Sequence, residues 1–434
     1  MKDNSENSFT AVLVDGCRIP FQRSGSNYND LMAYDLGRMA IEGLLARNPV
    51  DPKNIDRVIM GTVIQEVKTS NIARESALGA GIPNSVPAFT TTMACISSNQ
   101  AITSGVDLIR SGQAKIILAG GTETMSDIPV RFKKKFRQKV LEARKYKSPL
   151  DFLKFFKGLG FKDFLPELPA IAEFSTGEVM GESADRMAAR FGVSREDQDE
   201  FALRSHQKAA KATKEGLLDQ ELVPAKIPPK FEVVKNDNGF REDSNTEKLG
   251  KLRPAFIKPH GTVTAGNSSF LTDGASASFI MEEQTALELG LKPKAYIREY
   301  NFVSQDPGEE LLLGPAYAIP KALDAMNLQL SDMDVVELHE AFAGQVLSVL
   351  TALNSDQFAK ESLNRDKKVG EIPMDILNTL GGSLSLGHPF GATGVRLVTT
   401  AANRLIREDG TFAMVSACAA GGQGHAVVLE RYSN

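Results

Sequence analysis

The chain has 434 residues, 42% hydrophobic and 24% charged, with a formal net charge of −4. A chain of this size folds as two or three units and buries a large core without disulfide staples, and its charge balance gives no footprint for nucleic acid. Its three cysteines, Cys17, Cys95 and Cys418, are too few and too odd in number for a disulfide framework and fit a reducing compartment.

From Met1 to Ala11 the chain is polar and carries Asp3 and Glu6. It has neither an apolar signal core nor an arginine-rich, acid-free presequence, so a cytoplasmic location is expected. No apolar run approaches the ~18–20 residues of a membrane helix. Phe9 to Val14 reads as a buried strand, Leu31 to Ala46 as a helix and Arg57 to Val63 as a second strand. Cys95 comes just before Ala101, Ile102, Val106 and Ile109, which recur at helical spacing until Gly112 and Gln113. Lys115 to Leu118 is a short strand leading to Gly120 and Gly121.

The C-terminal third repeats this plan. Val335 to Leu338 is a strand, and Leu386 to Thr393 a glycine-rich loop. A helix carries Val395, Val398, Ala402 and Leu405 on one face and ends at Gly410. Thr411 to Ser416 is a strand running into Cys418. Strand, reactive loop, helix and strand thus occur twice, which predicts two related α/β halves with helices covering a mostly parallel sheet. Between them, roughly Ser126 to His260 reads as an inserted cap. Its stretch 131–165 is basic (Arg131, Lys133, Lys134, Lys135, Arg137) and aromatic (Phe132, Phe136, Phe152, Phe155, Phe156, Phe161). The expected division is 1–127 completed by 261–285 as the first half, 128–260 as the cap, and 286–434 as the second half.

Three positions carry the chemistry. Cys95 precedes a helix, where free backbone N–H groups and the dipole stabilise a thiolate and lower its pKa. His388, between Gly387 and Pro389, takes in the second half the place that Cys95 has in the first, so the two halves would pair nucleophile with base. Cys418 ends a strand before Ala419-Ala420-Gly421-Gly422, whose backbone N–H groups are free for an oxyanion. No paired-ligand spacing exists for zinc, and His339-Glu340-Ala341-Phe342-Ala343 lacks the second histidine of a zinc helix. The glycines do not form a dinucleotide fingerprint. Cys17 reads as core, His206 and His260 as structural, and His425 as support for the glycine turn.

Ala94-Cys95-Ile96-Ser97-Ser98, His339-Glu340-Ala341-Phe342, Gly387-His388-Pro389 and Cys418-Ala419-Ala420-Gly421-Gly422 resemble the thiolases in order and spacing, as do Asn267-Ser268-Ser269 and Thr272-Asp273-Gly274-Ala275. The resemblance runs from about Phe9 to Arg431. It implies a thiolase fold, an α/β architecture of two duplicated βαβαβαββ halves in five αβαβα layers with a cap that holds coenzyme A. It also implies thiolytic cleavage of a 3-ketoacyl-CoA to acetyl-CoA and a shortened acyl-CoA, or the reverse Claisen condensation. CoA would be a co-substrate, with no tightly bound cofactor and no metal. In that scheme His388 takes the proton of Cys95, Cys95 carries the acyl group, and Cys418 protonates the enolate.

Two positions depart from the commonest thiolase pattern. Many members have asparagine where His339 stands, positioning a water in one oxyanion hole; a histidine could do the same or donate directly. Many have Cys-x-Gly where this chain has Cys418-Ala419-Ala420, yet the N–H groups of Cys95 and Ala420 would still form the second hole. Both departures, with Leu165-Pro166-Glu167-Leu168-Pro169-Ala170 and Lys251-Leu252-Arg253-Pro254-Ala255-Phe256, are similar to the β subunits of trifunctional fatty-acid oxidation complexes. That subgroup implies a hydratase–dehydrogenase α subunit as partner, a homodimer or homotetramer, and a partner or membrane contact through 131–165. Cations and phenylalanines suit an anionic interface, and a basic face packed on the protein itself is the alternative. Matching residue by residue points to Arg241 near the nucleotide of CoA and to Met180, Ala265, Ser269 and Phe342 along pantetheine. The competing functions are a biosynthetic acetoacetyl-CoA thiolase, another condensing enzyme, which would not need Cys418, a papain-like hydrolase, and a non-catalytic scaffold or lipid-binding subunit.

Overall fold

The computed structural model describes residues 10–167 and 172–433. Readings that fall on Met1 to Phe9 and on Leu168-Pro169-Ala170 lie outside the described residues. In chain order the elements that build the site are β1 (Ala11–Arg18), α1 (Ala33–Arg47), β2 (Arg57–Gly61), β3 (Ala88–Thr91), α2 (Ser97–Arg110) and β4 (Ile116–Glu123). The cap contributes α3 (Lys134–Ala143), α4 (Pro149–Phe156), α5 (Met180–Arg190) and α6 (Arg195–Lys214). There follow β5 (Thr272–Glu282), β6 (Ala295–Ser304), α7 (Gly314–Met326), β7 (Val335–Leu338), α8 (Ala343–Leu353), α9 (Thr393–Arg407), β8 (Phe412–Ala419) and β9 (Gln423–Arg431).

The main sheet runs β7-β8-β9-β6-β1-β5-β4-β2-β3, with Gln22–Arg23 pairing on β5. It joins two half-sheets through a short antiparallel contact, Val12 opposite Tyr296 and Leu13 opposite Ala295. Four strands of each half match, and the outermost strand of the first half, β3, is answered in the second, among the described residues, only by the parallel bridge of Val336 to Leu377. β2 lies parallel to β4, as β7 lies parallel to β8; β4 pairs antiparallel with β5, as β8 does with β9.

The expectation of a mostly parallel sheet is therefore corrected. The long strand β5, entering after the cap, inserts antiparallel between β1 and β4, and β9 does the same between β6 and β8. Parallel pairing is confined to the outer strands of each half, where a helix connects one strand to the next.

Three apolar clusters define the layers. One packs α1 on the first half-sheet and another packs α7 and α8 on the second. The third lies between the half-sheets. Ala101, Ile102, Val106 and Ile109 of α2 meet Val395, Val398, Ala402 and Leu405 of α9 there, with Ile117 and Val415 from the two sheets around them. The two helices meet through these apolar faces, while α2 turns Asp107 to solvent on its other side. This is the five-layered α/β arrangement expected of the chain.

The cap is fastened by buried charge. Arg18, at the end of β1, donates to Glu221 at 2.7 Å and to both oxygens of Asp237 at 2.6 and 2.9 Å. All three side chains are buried, and a bidentate pair of this kind holds a fixed geometry. The stretch 131–165 is different. α3 and α4 form a small unit whose rings pack on each other, Phe136 lying 5.6 Å from Phe155 and 5.1 Å from Phe164. No residue of α3 is buried.

Candidate active site

The reactive segments meet because both pseudo-equivalent helices begin at the same place. The chain turns sharply at Ala94, whose φ of +45° is in the strained left-handed region. Ser97 Oγ holds this turn, donating to Ala94 O at 2.7 Å and accepting from Met93 N–H at 2.9 Å. Cys95 is thereby presented ahead of α2. From the other half comes the His388 loop. A Cβ on Gly121 would lie 1.8 Å from Gly391 O, so only glycine lets β4 meet that loop this closely.

Glu123 closes the junction. Its buried carboxylate accepts from Val63 and Ile64 N–H at 2.9 Å and from Gly391 N–H at 3.0 Å, tying the two halves together. Burial pushes its pKa up to about 7 against those bonds. The segment Asn267–Leu271 threads beside both histidine loops. Ser269 N–H donates to Ala341 O at 2.9 Å, and His388 N–H to Thr272 Oγ1 at 3.0 Å.

At the centre, one ligand atom each of Cys95, His339 and His388 lie within 4.8 Å of one another. The two imidazole centroids are 4.1 Å apart. His388 Nδ1 is 2.7 Å from Thr393 Oγ1, which in turn donates to Pro389 O at 3.3 Å. The hydroxyl hydrogen is thus used, so Nδ1 carries the ring proton and Nε2 presents a lone pair to the cavity. His388 Nε2 and His339 Nε2 are both buried without a protein partner. Such atoms are costly unless something else completes them. The zinc reading was set aside on spacing; the fold nonetheless gathers one cysteine and two histidines from three loops.

The electrostatics correct one expectation. Cys95 does not have a lowered pKa: burial pushes its thiol up to about 12, and the charge of Glu123 adds to the rise. The N–H groups of Ala420 and of Cys95 itself work the other way. Two residues of separation from α2 do not offset the loss of water. Burial, helped by Arg396, pulls His388 down to about 3. The resting pair is therefore a neutral thiol and a neutral imidazole, an acceptor ready for the proton. Burial and the nearby Cys95 raise Cys418 further, so it remains a thiol. Cys418 lies inside β8 opposite Gly424, not beyond the strand's end.

These groups open into a cavity of about 1000 Å³. Cys95, Cys418, His388 and Ala420 line its floor, and Met180, Ala265, Ser269, Phe342 and Arg241 its walls. Nine of the ten sequence candidates line it, and the tenth, His339, lies directly behind, within 4.8 Å of Cys95 and His388. His206 also lines it, its Nδ1 accepting from Arg241 N–H at 3.2 Å. Cys17 is core, and His425 stacks on Phe302 at 4.6 Å beneath the turn.

Sequence reasoning missed Thr393, Glu123, Ser383 and Arg396. Thr393 is five residues from His388 and starts α9, a position that could have been read; the others act across distant segments.

The family models "Thiolase, N-terminal domain" and "Thiolase, C-terminal domain" match residues 11–284 and 291–431. The chain belongs to the thiolase family. It is an acyltransferase. The chain is 57% identical to human "Trifunctional enzyme subunit beta, mitochondrial" over 97% of its own length and 88% of the relative's. It is 54% identical to "Probable 3-ketoacyl-CoA thiolase" of Caenorhabditis elegans over 97% and 94%. The crystal structure of human mitochondrial 3-ketoacyl-CoA thiolase in complex with CoA superposes with a TM-score of 0.84 at 32% identity, covering 98% of each chain. The cytoplasmic expectation is thereby corrected: the trifunctional relatives of this thiolase are mitochondrial. The cytoplasmic expectation rested on the composition of the first residues and on the sparse cysteines.

Proposed function

We propose that this thiolase cleaves 3-ketoacyl-CoA with CoA to acetyl-CoA and a shortened acyl-CoA in mitochondrial fatty-acid β-oxidation. One observation carries the reading: a half-buried cysteine, two imidazole nitrogens without a partner among the described residues and a second thiol meet at one cavity, and the relatives named for this reaction match along the whole chain.

Substrate binding brings the 3-keto carbon to Cys95 Sγ, and His388 Nε2 takes the thiol proton as the bond forms. Because Cys95 starts as a thiol, proton transfer and attack are coupled rather than sequential. The N–H groups of Ala420 and Cys95 converge on Sγ, so a carbonyl bonded to that sulfur places its oxygen between them. Breaking the bond between the α and β carbons leaves acyl-Cys95 and the enolate of acetyl-CoA, whose oxygen faces His339. Cys418 donates its proton to the α carbon, a role that suits a thiol held protonated. The proton held by His388 passes to the Cys418 thiolate, restoring a neutral imidazole; CoA then enters, loses its proton to His388, and its sulfur displaces the acyl group from Cys95, whose thiolate takes that proton back.

Arg241 would hold the nucleotide end of CoA, with Met180, Ala265, Ser269 and Phe342 along pantetheine and residues 128–260 as the cap. The subunit name of the relatives supports a hydratase–dehydrogenase α subunit as partner, and a homodimeric or homotetrameric thiolase core is part of the same proposal. The exposed, basic and aromatic stretch 131–165 is the surface proposed to meet a membrane.

The test omits CoA. The native enzyme with a 3-ketoacyl-CoA alone should release acetyl-CoA once and leave an acyl group on Cys95, located by mass spectrometry of peptides. Acylation elsewhere, or none, overturns the assignment.

A further inference from the structure

The two buried imidazoles are chemically alike but do opposite work, and the residues behind them decide which does which. His339 Nδ1 lies 2.9 Å from Ser383 Oγ. The same Ser383 Oγ lies 2.9 Å from Arg396 Nη2. A guanidinium has only donors, so Ser383 must accept there. The remaining acceptor within reach of the serine hydrogen is His339 Nδ1; if Nδ1 carried the proton instead, that hydrogen would be buried without a partner. Ser383, His339 and Arg396 are all excluded from water, so no solvent substitutes.

We infer that Arg396 and Ser383 form a relay that fixes His339 as the tautomer protonated at Nε2. His339 then offers an N–H beside Cys95 and His388, with one ligand atom of each within 4.8 Å of the others, while His388, held by Thr393, offers a lone pair. One site thus receives a donor and an acceptor about one ring-width apart. A donor at this position stabilises the enolate oxygen directly, with no water between. The relay is anchored from behind, because Arg396 Nη1 faces Glu337 at 3.6 Å and Glu337 is held by Arg404 at 2.8 Å. Ser383 is therefore a positioning residue, acting through His339. The inference rests on the assignment of His339 to the oxyanion of the proposed reaction.

The experiment reads the proton itself and then its use. Enzyme labelled with ¹⁵N-histidine is examined by long-range ¹⁵N–¹H correlation, with the His339 ring assigned by its loss in His339→Asn. A ring protonated at Nε2 is expected; protonation at Nδ1 overturns the relay. Turnover is then compared in two backgrounds. Ser383→Ala in the native enzyme should lower kcat about tenfold with little change in KM, a fraction of what losing one oxyanion donor costs. In the His339→Asn background, where the amide has no tautomer to set, the same change should alter kcat less than about twofold. An equal loss in both backgrounds makes Ser383 merely structural and overturns the proposal. Undiminished turnover in His339→Ala, which leaves neither a donor nor an amide to hold a water, would instead remove the site assignment beneath it, whatever tautomer the spectrum reports.

Discussion

The catalytic junction and the stretch 131–165 invert the usual rule in opposite directions. At the junction, His339, His388 and Cys418 are polar or reactive groups almost wholly withdrawn from water. In the stretch 131–165, Leu150, Leu153, Phe156 and Phe161 are apolar side chains at 74%, 69%, 63% and 82% exposure. Each arrangement costs free energy in the isolated chain. The junction holds its rings from behind through Thr393 and Ser383, while Nε2 of both histidines, and also Arg396 Nε and Nη1 and Glu337 Oε2, are without a hydrogen-bond partner among the described residues. The surface stretch is tied by local bonds at its surface, such as Asp151 with Ser148 and Lys154, and its exposed Phe161 and leucines face outward. On the proposed function the two are completed by different things, a substrate for one and a surface for the other. They should therefore be separable by mutation.

The largest break is at the nucleophile. Cys95→Ala should lower thiolysis of a 3-ketoacyl-CoA by about 10⁴-fold or more, since no other group can carry the acyl chain. The measurement is the loss of ketoacyl absorbance in the presence of CoA. His388→Ala should cost about 10²–10⁴-fold, the range for a positioned general base. Membrane association through 131–165 should be unchanged in both.

Cys418→Ala sharpens the division within the junction. Exchange of an acyl group between acyl-CoA and labelled CoA needs Cys95 and His388 alone and should survive within about tenfold. Carbon–carbon cleavage needs the second thiol and should fall by at least about 10²-fold. Equal effects on both reactions would mean that Cys418 does not act at the α carbon.

A fourth prediction concerns pH. A thiol raised to about 12 by burial is mostly protonated at neutrality. With His388 lowered to about 3, no imidazolium is present to stabilise a thiolate. Alkylation of Cys95 by iodoacetamide without substrate should therefore be slow at pH 7. It should rise close to tenfold per unit without a plateau below about pH 9. A thiolate–imidazolium pair would instead plateau above the lower, thiol-side pKa.

Much of the junction was legible because its signals are local. Cys95, His388 and Cys418 each sit in short runs whose glycines and helix or strand ends mark a close approach. The duplication was legible because the apolar faces of α2 and α9 repeat. The antiparallel insertion of β5 was not, since its partner β4 lies about 150 residues upstream in the chain. Ser383 and Arg396 were missed for a similar reason: Ser383 meets a ring 44 positions away, and nothing around it in sequence says which hydrogen it gives. The direction of the Cys95 shift was misread because a helix terminus is visible in sequence while burial is not.

The smallest effect on catalysis should come from the surface. Replacing Leu150, Leu153 and Phe161 together by serine removes exposed apolar area and touches no residue of the cavity. Thiolysis of a soluble short-chain substrate should stay within about twofold, as exposed substitutions away from a site usually do. Sedimentation with vesicles containing anionic lipid should fall strongly. The basic neighbours, among them Lys133, Lys134 and Arg137, would keep a residual attraction, on the order of 1 kcal/mol for each that reaches the surface and weakened by salt. Vesicle binding that is unchanged by the triple replacement but abolished by salt would make the interface electrostatic and leave the exposed leucines unexplained. Loss of turnover in the same variant would break the comparison altogether, because the two regions would then be one functional unit.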